Sequence, residues 1–101
     1  MGSSSDKTKL FEALLEIHSS CLSAARGQLS QDQLSELLEY QRPRVRELAQ
    51  SLRNSKGESA VQSRVNSAYR WVNTHYFNEY GGGEGINFYL NTMRSMTDLN
   101  S

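Results

Sequence analysis

A small all-α protein, an antiparallel bundle of three main helices with a short fourth, is the fold this chain predicts. Three observations carry that expectation. Apolar residues recur every three or four positions in each of three long segments. A helix-capping signature, "LSQDQL", follows closely on the first of them. Glycine and proline punctuate the chain where helices are expected to stop or bend. At 101 residues there is room for one domain with a modest core. That domain is placed at residues 8–97, between a disordered leader (1–7) and a frayed tail (98–101).

In the first segment, from Leu10 to Ala25, Leu10, Leu14, Ile17 and Cys21 form one apolar row. Phe11, Leu15 and Leu22 form a second beside it, which makes a wide stripe on one helix face. Asp6 or Thr8 is expected to cap its start and Gly27 to end it. In "LSQDQL", Ser30 is the N-cap and Gln33 completes a capping box, while Leu29 and Leu34 flank it as a hydrophobic staple. The link between the first two helices is therefore short, which favours an antiparallel hairpin.

The second segment poses a conflict, because the only proline of the chain, Pro43, lies inside it. Proline removes a backbone donor and clashes with the carbonyl four residues back, at a cost of roughly 3 kcal/mol within a helix. Yet Leu34, Leu38, Gln41, Val45, Leu48 and Leu52 keep their phase across the break. A helix that ended at residue 42 would impose no such phase. One helix kinked near residues 39–43 is expected rather than two unrelated ones.

After "RNSKGES", Ser59 and Gln62 repeat the capping-box pattern, and a third helix is expected with Val61, Val65, Ala68, Tyr69, Val72 and Tyr76 on one face. It should end at "YGGGEG", since four glycines in five residues each cost about 1 kcal/mol relative to alanine in a helix. The last segment, "INFYLNTMRSM", fits a helix through Ile86, Tyr89, Leu90, Met93 and Met96, and fits a strand through Ile86, Phe88 and Leu90. With no second strand to pair with, a short helix is expected.

Composition narrows the classes of function. Charges cancel overall, but residues 1–41 carry net −3, residues 42–76 net +5 and residues 77–101 net −2. Zero total charge argues against a non-specific nucleic-acid coat, which depends on counterion release. Cys21 is the only cysteine, so there is no internal disulfide framework. The short apolar runs exclude a transmembrane helix or a signal-peptide core, and the cytoplasm is the expected location. Gly2 begins an acylation-like start, but Asp6 occupies the position where that motif requires Ser or Thr.

Chemistry-bearing clusters are thin. His18 and Cys21 share a helix face, but a zinc site needs about four ligands, and only His75 could add to them. Both are expected in or beside the core. Glu12, Glu16, Glu36 and Glu39 lie on polar faces, where nothing shifts a carboxyl for acid–base work. "GGGEG" lacks the spacing of a phosphate loop. No enzyme activity, metal or cofactor is expected.

Two features point to binding. Arg42, Arg46 and Arg53 fall on one helix face, where guanidinium forks suit an acidic partner. "YRWVNTHYFNEY", residues 69–80, holds five of the nine aromatic residues, more than one core stripe can bury. Trp71, Tyr76, Phe77 and Tyr80 are the expected apolar anchors, a residue class typical of binding hot spots. The stretch from "LFEALLEIHSSCLSAARGQ" to "LSELLEYQRPRVRELAQSLR" resembles the helical hairpin of bacterial flagellar type III export chaperones in its leucine spacing, over less than half the chain. That resemblance implies a chaperone-like adaptor.

The expected function is a non-enzymatic protein-interaction module, an adaptor, regulator or chaperone-like protein, with homodimerisation through part of the aromatic surface. The alternatives are a small nucleic-acid-binding regulator that uses the same arginines with Tyr69 and Trp71, and a membrane-apposed adaptor acylated at Gly2.

Overall fold

The computed structural model describes residues 5–99, which form four helices and no strand: α1 (Asp6–Ala25), α2 (Gln31–Lys56), α3 (Glu58–Tyr76) and α4 (Gly83–Met96). The acylation reading at Gly2 lies outside the described residues. Helix α1 packs against all three others. Its buried row, Leu10, Leu14, Ile17 and Cys21, meets Val45, Ala49 and Leu52 of α2, Val61, Val65 and Val72 of α3, and Ile86, Tyr89 and Met93 of α4 in one core. Among the described residues no helix is long and apolar enough to cross a membrane.

Helix α1 starts earlier than its apolar rows suggest. Ser5 is the N-cap, its side chain accepting from the Thr8 amide at 3.2 Å, in place of Asp6 or Thr8. Asp6 and Lys7 are thus helical, so the expected leader is shorter by those residues. Asp6, in the first turn, complements the positive end of the helix. At the other end the Gly27 amide bonds to the Ala24 carbonyl and the Gln28 amide to Ser23, which is the Schellman closure. Ser30 and Gln33 then form the expected capping box, with bonds of 3.1 and 2.9 Å.

Helix α2 runs without interruption through Pro43. Leu34 before the proline and Val45, Ala49 and Leu52 after it are all buried, so the seam keeps one orientation across the missing hydrogen bond. Burial of several aliphatic side chains, each contributing about 1.5–3 kcal/mol, outweighs the local cost of the proline.

Three boundaries depart from expectation. Gly57 alone joins α2 to α3, at φ 96° and ψ 170°, a conformation open essentially to glycine. Because α2 continues to Lys56 and Glu58 is already helical, Ser59 lies inside the first turn of α3, and no side chain caps that helix. The glycine run is only partly a turn, since Gly83 and Gly85 belong to α4. Gly85 is there for space: a Cβ at this position would stand 2.1 Å from the Tyr80 carbonyl oxygen. Finally, the tail past Met96 remains folded through Leu99. The Leu99 amide bonds to the Arg94 carbonyl at 2.9 Å, and its side chain packs on the core.

Candidate functional site: an aromatic cluster around His18

The two binding features seen in the sequence meet different fates. Positions 42, 46 and 53 of α2 do share one face, and that face looks onto the C-terminal end of α4. Arg53 donates to the Thr97 carbonyl at 2.7 Å and to Gln50 at 3.2 Å, and its guanidinium pairs with Glu58. Its side chain is 20% exposed. A helix ends with unpaired carbonyls that carry partial negative charge, and a guanidinium there satisfies both needs. Arg53 is therefore corrected from a partner-binding residue to a clamp on α4. Arg42 makes weaker contacts with Glu39 (3.3 Å) and Ser95 (3.4 Å), and Arg46 with Asp98 (3.4 Å). Both are more exposed than Arg53, so these two of the three remain accessible.

The aromatic segment gathers around a residue of α1. His18 is 6% exposed. Its ring centroid lies 4.6 Å from Tyr76, 5.7 Å from Tyr80, 5.8 Å from Tyr89 and 6.5 Å from Trp71. Tyr80, at the corner before α4, donates its hydroxyl to the His18 carbonyl at 3.1 Å and lies 2.9 Å from His18 Nδ1. A phenol has one proton to give, and the carbonyl takes it. His18 must then carry its proton on Nδ1 and donate to Tyr80. Tyr89 repeats the arrangement one turn earlier on α1, donating to the Leu14 carbonyl at 2.9 Å. Tyr80 is 5% exposed and so is corrected from a surface anchor to a core residue. The reason is its hydroxyl, which finds a buried carbonyl and imidazole and so permits burial of the whole ring.

This burial sets the ionisation of the cluster. Desolvation holds the His18 pKa below its usual value, with the Arg26 cation adding to the effect. Burial pushes the Cys21 thiol up to about 12 and raises both Tyr80 and Tyr89. At neutral pH the group is thus a set of uncharged, closely packed side chains without a thiolate. Among the described residues, no three His, Cys, Asp or Glu side chains come together as metal ligands. A cleft of about 220 Å³ beside Cys21 and Leu34, closed by Tyr80 and Phe88, is smaller than the roughly 300–1,000 Å³ of small-molecule sites.

Trp71 forms the outer wall of the cluster and is 41% exposed. The His75 ring lies against it at 4.6 Å, fixed by a 2.8 Å bond from His75 Nδ1 to the Trp71 carbonyl, and Tyr76 lies behind it at 5.8 Å. Ser67, Arg70, Thr74 and His75 complete a shallow depression with it. One helical turn pair earlier on the same α1–α3 seam, Arg64 sits over the Phe11 ring at 5.7 Å. Phe77 is also exposed, at 43%, but its ring joins none of these aromatic contacts. Of the seven expected partner-binding residues, the structure joins Trp71 and Tyr76 in one cluster with buried Tyr80, and groups Arg42, Arg46 and Arg53 elsewhere.

The spacing on α1 puts His18 at the edge of the core, whereas its partners Tyr76, Tyr80 and Tyr89 lie far along the chain. Tyr89 held the available signal: a tyrosine on an otherwise aliphatic row needs a buried acceptor for its hydroxyl.

No family model, curated protein or solved structure matches this chain, so the likeness of its first two helices to export chaperones gains no support from them. The fold is a small all-α bundle in which His18 gathers an aromatic cluster with Trp71 at its outer edge.

Proposed function

We propose that the protein is a non-enzymatic interaction module that docks a protein partner on the α1–α3 seam, with Trp71 as the central anchor. The observation that carries this reading is an indole 41% exposed to solvent yet braced by His75 and Tyr76. A side chain already held in place loses little rotamer freedom on binding, which is how a surface aromatic becomes a hot spot. The charge around it specifies the partner. Arg64 and Arg70 flank Trp71 on α3, whose only carboxylate, Glu58, is engaged by Arg53. An acidic segment bearing an apolar side chain is the complementary ligand.

The test is affinity capture from the native host with the wild-type chain and with Trp71→Ala, followed by direct binding of whatever protein the wild type alone retains. Truncation of a hot-spot aromatic weakens binding by about 2 kcal/mol, or about 30-fold. Circular dichroism should show the same helix content in both proteins. Equal binding by the two would remove Trp71 as the anchor. Binding to mixed-sequence RNA that falls steeply with salt would replace this reading with a nucleic-acid one.

A further inference from the structure

We propose that the uncharged face around Phe88, where α4 meets the C-terminal half of α1 and the N-terminal half of α2, is the contact by which two copies of this chain form a symmetric dimer. Helix α4 reaches its own core through Ile86, Tyr89, Met93 and Met96. Phe88 takes no part in that row and is 46% exposed. It stands between two depressions. One is the cleft of about 220 Å³, with Cys21, Ala24, Ala25, Leu34 and Gly85 in its wall. The other continues past the ring, between Ser35 and Leu38 of α2 and Asn91, Thr92 and Ser95 of α4. Together they follow α4 from Gly85 to Ser95, about 15 Å of helix.

Charge selects the occupant. Residues near a two-fold axis meet their own copies, so a face that associates with itself must avoid like charges and carry groups that pair with themselves. From Ile17 to Ala25 and from Gly85 to Met93 there is no Asp, Glu, Lys or Arg. Asn87 and Asn91 are exposed beside Phe88, and a side-chain amide holds both donors and an acceptor, so it can pair with another amide across an axis. At the far end Glu39 and Arg42 pair with each other at 3.3 Å. The Thr92 hydroxyl already donates to the Phe88 carbonyl at 2.8 Å, so covering it strands no proton. The surroundings of Tyr40 and Trp71 differ. Tyr40 borders a groove in which Arg42, Arg44 and Arg46 outnumber Glu47 and Asp98, and Trp71 shares its depression with Arg70. Copies meeting at either would bring an excess of like charge together.

Shape agrees with charge. Ala24, Ala25 and Gly85 place little side chain above the backbone, which leaves the cleft beside Phe88 open. A cavity of about 150 Å³ is enough for benzene, so the cleft has room for the Phe88 ring of a second copy. Each ring then enters the other's cleft, and the two meet near the axis in the offset or edge-on contact that aromatic pairs prefer. A patch this short is at the small end of specific interfaces, so the dissociation constant is set on the order of 10–100 µM.

The experiment is sedimentation equilibrium of the full chain from about 5 to 500 µM, a range that brackets that constant, with amide NMR spectra at the same concentrations. Wild type should pass from monomer to dimer. The amide signals that move most should be those of Ala24, Ala25, Leu38 and residues 85–92. Phe88→Asp, which brings two carboxylates together, should weaken the dimer at least about 30-fold with unchanged circular dichroism. Trp71→Ala should leave it intact, which separates this face from partner docking at Trp71. Raising salt from about 0.05 to 0.5 M should not weaken an uncharged contact. A monomer throughout the range would overturn the proposal, as would a dimer indifferent to Phe88→Asp. So would a dimer that Trp71→Ala or salt dissociates, or one whose largest shifts lie around Trp71 or Tyr40. If Phe88→Asp does not fold, the wild-type shifts still locate the contact.

Discussion

The arginine row of α2 and the aromatic segment of α3 look equally like binding surfaces when read as sequence, and the fold divides each of them. In the row, Arg53 turns onto the end of α4 while Arg46 stays half exposed. In the segment, Tyr80 turns onto α1 while Trp71 stays outside. The division follows the hydrogen-bonding need of each side chain. Each inward residue reaches a carbonyl, Thr97 just past the end of α4 for the arginine and His18 within α1 for the tyrosine, and each outward residue does not. A polar side-chain group can be buried only where the fold supplies a partner, because an unmet buried polar group costs about 1–3 kcal/mol. A cluster of chemically similar residues is therefore a poor guide to a surface until the neighbouring helices are placed.

The largest effect expected is at the tyrosine. Gly85→Ala puts a methyl group against the Tyr80 carbonyl and must displace either the corner or the first turn of α4. Overpacking against backbone costs about 3 kcal/mol, read as a shift of the denaturation midpoint. If Gly85→Ala is as stable as wild type, the corner is not rigid, and the inward placement of Tyr80 loses its significance.

Next comes the arginine that faces inward. Arg53→Met keeps much of the side-chain volume and removes the donors to Thr97, Gln50 and Glu58. A charge-assisted hydrogen bond to a partly buried carbonyl contributes about 1.5–3 kcal/mol, and the new apolar contact offsets some of its loss, so a net cost of about 1–2 kcal/mol is expected. Amide exchange should locate that loss at the C-terminal end of α4.

How much of this was legible follows from the range of each cause. The capping box at Ser30 and the buried phase of Leu34 through Leu52 were readable because both arise within one helix, from spacing alone. The capping-box pattern at Ser59 does not act as a cap because it is sound only if the preceding helix has stopped, and α2 continues to Lys56. Gly85 reads as a helix breaker because its reason, the carbonyl of Tyr80, is a contact made only when the corner closes. Arg53 and Thr97 are 44 residues apart, and His18 and Tyr80 are 62 apart. No local pattern carries such pairs, and they decide which residues remain for a site.

The smallest effect tests the division most sharply. Arg46 sits one turn from Arg42 on the same row and pairs with Asp98 at 3.4 Å, with the two side chains 55% and 49% exposed. An ion pair in that much water contributes about 0.2–1 kcal/mol and is screened by salt, so Arg46→Gln should shift stability by about 0.5 kcal/mol or less, and by still less in 0.5 M salt. Comparing Arg46→Gln with Arg53→Met under both salt conditions separates two accounts of the row. If burial against the α4 terminus sets the contribution, the Arg53 effect persists in salt and the Arg46 effect disappears. If the row instead stabilises α4 as a shared field of positive charge, both effects fall together as salt rises. The first outcome would leave Arg46 free to meet an acidic partner without loss to the fold; the second would tie it to α4 as firmly as Arg53.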